Sequence, residues 1–130
     1  MRRKAITPST IHRPFGSYNH AILVDGPPRT LHMSGQVGMA ADGTVPETVE
    51  AQTELVFANI QAILDEAGME RRHIVKLTTY LTDPDFRALY MPVRNGWIAE
   101  PWPASTLVTV KALGEPRFLI EIEALAVGDA

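Results

Sequence analysis

Two glutamates, Glu121 and Glu123, stand two residues apart in the run FLIEIEALAV near the C-terminus. Alternate residues of a strand share a face, so both carboxylates project to one side, together with Leu119, Leu125 and Val127. A carboxylate among apolar neighbours loses hydration and its pKa rises. That suits it to act as a general acid or to orient water. The plainer alternative is a pair of rim carboxylates, partly solvated or salt-bridged. Further upstream, SGQVG (34–38) sets two glycines after a β-rich run. Glycine permits close backbone approach, so these amides could meet a ligand oxygen; a tight turn is the other reading. The stretch carries neither the G-x-x-x-x-G-K phosphate-loop pattern nor the G-x-S-x-G nucleophile turn. Tyr18 could offer a phenol to a cleft or simply pack half-buried.

The remaining chemistry-bearing residues assemble into less. His12, His20, His32 and His73 show no H-E-x-x-H or similar spacing, so no metal site is expected. His20 and His32 read as ordinary sheet histidines of a first hairpin, and Arg71-Arg72-His73 as a solvated turn. With no cysteine, disulfides, thiolate catalysis and zinc–sulfur sites are all excluded. A length of 130 residues gives one domain, spanning 1–130. A net charge of −3 and a pI near 5.8 lack the field that gathers phosphates, so nucleic acid is not an expected partner. The basic N-terminus is not followed by an apolar core of a signal peptide, and no apolar run approaches the ~20 residues of a membrane span. A soluble, cytoplasmic protein without membrane contact is the expectation.

These groups need elements to hold them. NHAILVDG and RTLHMSG read as strands near 19–24 and 29–34 around a GPPR turn, followed by a loop over 40–46. Val49, Thr53, Val56, Ile60, Ile63 and Ala67 recur at helical spacing, with Thr48 or Glu47 at the start and Gly68 as a stop. A strand follows near 74–82. Asp83-Pro84-Asp85 then opens a second helix whose inner face carries Phe86, Leu89, Tyr90, Val93 and Trp97, with Pro92 inside it. Two strands, about 105–112 and 118–127, close the chain as neighbours around LGEPR. The order ββαβαββ packs most simply as an α+β domain in two layers, a mixed sheet with two helices on one face. Along the last strand Phe118, Ile120, Ile122, Ala124 and Ala126 form the face for the helices. The other face mixes glutamates with apolar residues, and two helices can cover only one side. That second face predicts a partner, in a closed homo-oligomer the same sheet of another copy.

GSYNHA, LHMSGQVG, VFANIQAILDEAG, HIVKLTTYLTD, DFRALY, PAST and FLIEIEALAV follow in order along the chain. In combination they resemble the Rid family, the reactive intermediate deaminases, also called YjgF-like, over about 14–127. The resemblance implies a chorismate-mutase-like fold and a homotrimer whose sheets form a central β-barrel. It also implies small-molecule ligands in clefts between subunits. Active members hydrolyse imines and enamines to a keto acid and ammonia, with no metal or organic cofactor. Carried over by position, Glu121 contacts water or the substrate nitrogen, Tyr18 lies near the cleft, and the backbone of Gly35 faces the ligand. Leu107 falls where many members have cysteine or threonine, with the backbone lining the site, Tyr90 where many have asparagine, and His20 where many have glutamine or serine-glutamine.

Ser105 departs from the pattern. It falls where deaminating members have an arginine that clamps the substrate carboxylate. A guanidinium fork makes two parallel charged hydrogen bonds, each contributing about 1.5–3 kcal/mol against about 1 kcal/mol for a neutral one. The resemblance therefore implies the branch lacking that arginine, with imine or enamine hydrolysis on a substrate without the usual carboxylate, or weak deaminase activity. A trimeric ligand-binding protein without turnover is the alternative. Whether Arg87 or Arg94 takes the place of the missing cation is not fixed by sequence. Ribonuclease activity, attached to some members, is opposed by the acidic pI and the absence of a basic stripe.

Overall fold

The computed structural model describes residues 2–129. Six strands form one sheet: β1 (Arg2–Ile6), β2 (Ala21–Asp25), β3 (Arg29–Val37), β4 (Ile74–Leu81), β5 (Ala104–Thr109) and β6 (Ile120–Gly128). Two helices, α1 (Val49–Ala67) and α2 (Arg87–Trp97), pack against one of its faces. The strand order is β1-β2-β3-β6-β4-β5. β6 is antiparallel to both β3 and β4, so those two run in the same direction with α1 between them in sequence. The β4–β5 pair is parallel, which requires a crossover, and α2 supplies it.

The long helix forms as its periodicity dictates. Val49, Thr53, Val56, Ile60, Ile63 and Ala67 are all buried. The Thr48 hydroxyl accepts from the Ala51 N–H at 3.2 Å, a cap that stabilises by about 1 kcal/mol. Gly68 ends the helix at φ 69°, a left-handed conformation that favours glycine. Phe57, Ile60, Ile63 and Leu64 meet Leu31, Leu77, Leu81, Ile120 and Ile122 of the sheet, all essentially inaccessible. Each such side chain contributes about 1.5–3 kcal/mol by leaving water.

The structure corrects the sequence reading at four places. Arg2–Ile6 is a sixth strand, paired with β2. Its exposed Arg2, Arg3 and Lys4 supply the charge that protects a sheet edge. The last two strands are not neighbours. β5 lies at the far edge beside β4, and β6 fills the slot between β3 and β4. Their patterns account for this: β6 buries every second residue, whereas β5 is exposed at all but Leu107. SGQ is neither turn nor loop but the continuation of β3, which runs to Val37 through a bulge. Leu89 faces solvent, because successive helical residues turn by about 100° and Tyr90 points straight at the sheet. Among the described residues, no helix is long and apolar enough to cross a membrane.

Candidate functional site

The site is built on the bulge in β3. Met33 pairs with Ala124 and Gln36 with Ile122, so Ser34 and Gly35 together stand opposite Glu123. A bulge re-aims the strand locally, and here it presses the backbone of Gly35 against the Glu121 side chain. A Cβ placed on Gly35 would lie 2.8 Å from the Glu121 carboxyl carbon and closer still to Oε2. Any side chain at position 35 would push the Glu121 carboxyl away. Glu121 is half-buried on the face away from the helices, beside Tyr80 of β4. Burial raises its pKa, and the neighbouring charge of Glu123 raises it further. Glu123 accepts a 2.5 Å hydrogen bond from the Tyr80 hydroxyl. That bond, with desolvation after it, raises the phenol's pKa. The two carboxylates thus occupy different environments: Glu123 has a donor, and Glu121 is desolvated.

A loop over 12–20 brings aromatic groups alongside. The Ser34 hydroxyl donates to the Asn19 carbonyl at 2.6 Å, and the Ser34 N–H donates to the His20 carbonyl at 2.7 Å. The preceding Tyr18 is 42% exposed, and its hydroxyl accepts from the Phe15 N–H at 3.0 Å. Phe15, itself exposed, stacks between His12 and Phe118, with ring centroids 5.0 Å and 5.9 Å away. The Arg117 guanidinium lies over the Phe118 ring. Tyr18, Gly35 and Glu121, three of the residues expected from sequence, are therefore joined through a short chain of contacts.

The other three lie elsewhere. Ser105 pairs with Leu77 and Leu107 with Thr79, residues buried on the helix side of the sheet. Tyr90 is 1% exposed, and its hydroxyl is 2.7 Å from the Thr79 hydroxyl; burial raises its pKa. Ser105, Leu107 and Tyr90 thus group on the helix-covered face, at the opposite side of the sheet from Glu121. Of the two arginines on α2, Arg87 is exposed, whereas Arg94 is half-buried one turn after Tyr90. With Asn95, Ile98 and Trp102, Arg94 lines a cavity of about 310 Å³. Its Nη1 donates to Asn95 Oδ1 at 2.9 Å. Among the described residues, no three His, Asp or Glu side chains are grouped to hold a metal ion.

Sequence reasoning missed the polar interior behind the bulge. His20 and Gln36 are each 1% exposed. The signal was present: Gln36 sits inside the quoted SGQ, and a buried amide must find partners. Tyr80 was also passed over, although its position on β4 places it opposite Glu121.

A mixed sheet under two helices, with a strand bulge meeting a half-buried carboxylate on the uncovered face, defines a small α+β domain. The model of the family described as Endoribonuclease L-PSP matches residues 10–128, and the chain belongs to this family, the Rid or YjgF-like proteins. It is 34% identical over 127 residues to a 2-iminobutanoate/2-iminopropanoate deaminase of Bos taurus, covering 96% of this chain and 90% of the relative. The crystal structure of RidA from the Antarctic bacterium Psychrobacter sp. PAMC 21119 superposes with a TM-score of 0.87 at 32% identity, covering 95% of this chain and 98% of that one. Escherichia coli TdcF with bound serine gives 0.85 at 28% identity, with the same coverage.

Proposed function

We propose that this protein hydrolyses a small imine or enamine to a carbonyl compound and ammonia, in clefts between the copies of a homotrimer. The observation that carries the reading is the close approach of the Gly35 backbone to a half-buried Glu121, whose pKa burial raises. In the reaction, the oxygen of water bonds to the imine carbon while the π pair of C=N moves to nitrogen. Nitrogen takes the carboxyl proton of Glu121. The added water then gives one proton to the Glu121 carboxylate, which passes it to the amine nitrogen so that it can leave as ammonia. Collapse of the carbinolamine re-forms a carbonyl, expels ammonia and returns the hydroxyl proton to the Glu121 carboxylate. Its desolvation and the adjacent Glu123 charge both favour the protonated form that a general acid needs. The loop that carries Tyr18 is tied to the bulge beside this carboxyl through the Ser34–Asn19 hydrogen bond.

Membership of the family and the relatives named as imine deaminases support this reading. The trimer is supported by the uncovered sheet face, where Glu121 and Glu123 stand among Leu119, Leu125 and Val127, and where Val108 is also exposed. It is supported further by the separation of Glu121 from Ser105, Leu107 and Tyr90. A sheet keeps its two faces apart within one chain, and a second copy can bring one group to the other. With serine at 105, the carboxylate clamp at that position is absent, and little turnover of standard 2-imino acids is expected. The test supplies imines generated in situ by an amino-acid oxidase and follows their loss. Glu121→Gln should lower turnover by about 10²–10⁴-fold, the range for a lost general acid. Rates unchanged in the variant would overturn the assignment. Family-typical rates on 2-iminopropanoate would overturn the role given to Ser105.

A further inference from the structure

Behind the bulge lies a polar cluster that the proposed chemistry leaves unused. The His20 imidazole is 1% exposed and both of its nitrogens are engaged. Nε2 lies 2.7 Å from the His12 carbonyl, and Nδ1 lies 3.1 Å from the Gln36 amide nitrogen. The same Gln36 nitrogen is 3.2 Å from the Ser34 carbonyl. A carbonyl can only accept, so Nε2 carries the proton and Nδ1 is the acceptor. Gln36 then donates both its hydrogens, one to His20 and one to Ser34. Its own Oε1 is buried without a partner, as is Nε2 of His12. Every group in the cluster belongs either to the loop that carries Tyr18 or to the bulge that carries Gly35.

We propose that His20 is a positioning residue, a neutral imidazole that locks the Tyr18 loop onto the Gly35 bulge and releases it when protonated. Its relevance to the site rests on the function proposed above; the lock itself does not. A proton on Nδ1 would face the Gln36 –NH₂, donor against donor. Turning the Gln36 amide over would give Nδ1–H an acceptor in the orphaned Oε1, but it would also swing the –NH₂ away from the Ser34 carbonyl. Protonation therefore removes a hydrogen bond from the bulge itself. Among the described residues, no carboxylate faces the imidazole. Around it stand His12 and Tyr18 of the loop, both in edge-on ring contact, and Gln36 and Ser34 of β3. Burial disfavours the imidazolium, and the His12 ring beside it adds to the cost, although the His12 carbonyl acts in the other direction. The open loop lets the ring reach water, so acid favours opening.

Hydrogen exchange tests this without a substrate. The Ser34 amide, bonded to the His20 carbonyl, reports closure. Its protection factor, corrected for intrinsic exchange, is expected to fall about tenfold between pH 7 and pH 5, because the open state binds one more proton. His20→Gln offers an amide donor and acceptor in place of the two ring nitrogens and cannot take up that proton. It should keep the protection seen at pH 7 and lose most of the pH dependence. An unchanged acid response in His20→Gln, or a flat response in the wild type, would overturn the proposal. The tautomer supplies a check on the unaltered protein: ¹⁵N spectra at pH 7 should show His20 neutral with its proton on Nε2, and an imidazolium or an Nδ1–H tautomer would refute the lock. If exchange behaves as stated but no imine is consumed, the lock stands and the proposed reaction falls.

Discussion

Adding one methyl group at Gly35 tests the site more sharply than removing the carboxylate. A Cβ there would sit 2.8 Å from the Glu121 carboxyl carbon and 3.0 Å from its Cγ. Ordinary carbon–carbon contact is about 3.5–4.0 Å, so the carboxyl must retreat by about 1 Å. The atoms in the way are the end of a flexible side chain, and the Gly35 backbone is not left-handed. Gly35→Ala should therefore cost stability less than about 1 kcal/mol, offset in part by the restriction of the unfolded chain. Turnover should fall about 10²-fold, the usual consequence of displacing a reacting group by an ångström. Gly38→Ala is the matched control. Its Cβ would lie 2.7 Å from the Cα of Gln52, within the backbone of α1, which cannot swing aside. Overpacking of this kind costs about 1–3 kcal/mol, with no direct effect on Glu121. Urea midpoints and imine-loss rates on both variants separate the effects. A Gly35→Ala protein with wild-type rates, or one that loses stability as Gly38→Ala does, would refute the contact as the centre of the site.

Other substitutions probe the surroundings. The raised pKa of Glu121 means that the folded state holds its proton more tightly than the unfolded chain. The associated stability is present below the ordinary value of 4.5 and is lost as pH rises through the folded value. Relative to Glu121→Gln, the wild-type urea midpoint should accordingly decline over that window; parallel pH curves would show that the carboxyl is not desolvated. Ser105→Arg should raise the affinity for small 2-keto acids at least about tenfold by calorimetry, from the charged hydrogen bonds gained; no gain would mean that position 105 does not face the ligand. Tyr90→Phe leaves the Thr79 hydroxyl without its partner in a buried site and should cost about 1–3 kcal/mol. An unchanged thermal midpoint would show that this bond contributes nothing.

The helices and the inner sheet face were legible because each obeys one period. The face of α1 and its Thr48 and Gly68 ends, and the alternation of Ile120, Ile122, Ala124 and Ala126, need no knowledge of neighbours. Pairing partners were not legible. Alternation along β5 and β6 gives each strand two faces but does not say which strand lies beside it, and proximity in sequence favoured a hairpin where a crossover through α2 was built. The candidate site divided in the same way. Glu121 and Gly35 meet because a bulge shifts the register between β3 and β6, a long-range event with only two glycines as its local trace. The buried His20 was read as an ordinary sheet histidine, since nothing in the chain order shows that Gln36 lies beneath it.

The sheet itself sets up a decisive test of assembly. Glu121 points from one face, and the Ser105 and Leu107 side chains point from the other, so a cleft containing both groups must draw them from different copies. Two variants, each inactive alone, should then rescue one another. Glu121→Gln spoils the first group, and Ser105→Trp fills the second at an exposed position where folding is not at stake. In co-expressed mixed trimers with random composition, a cleft receives an intact Glu121 from half of the copies and an intact position 105 from the other half. About one quarter of the clefts are then whole, and about one quarter of wild-type activity should return. Light scattering of the same sample should give about three times the 14.3 kDa chain mass. If both groups served a cleft within a single chain, no mixture could contain a whole site, and activity would stay at the level of the separate variants whatever the mass.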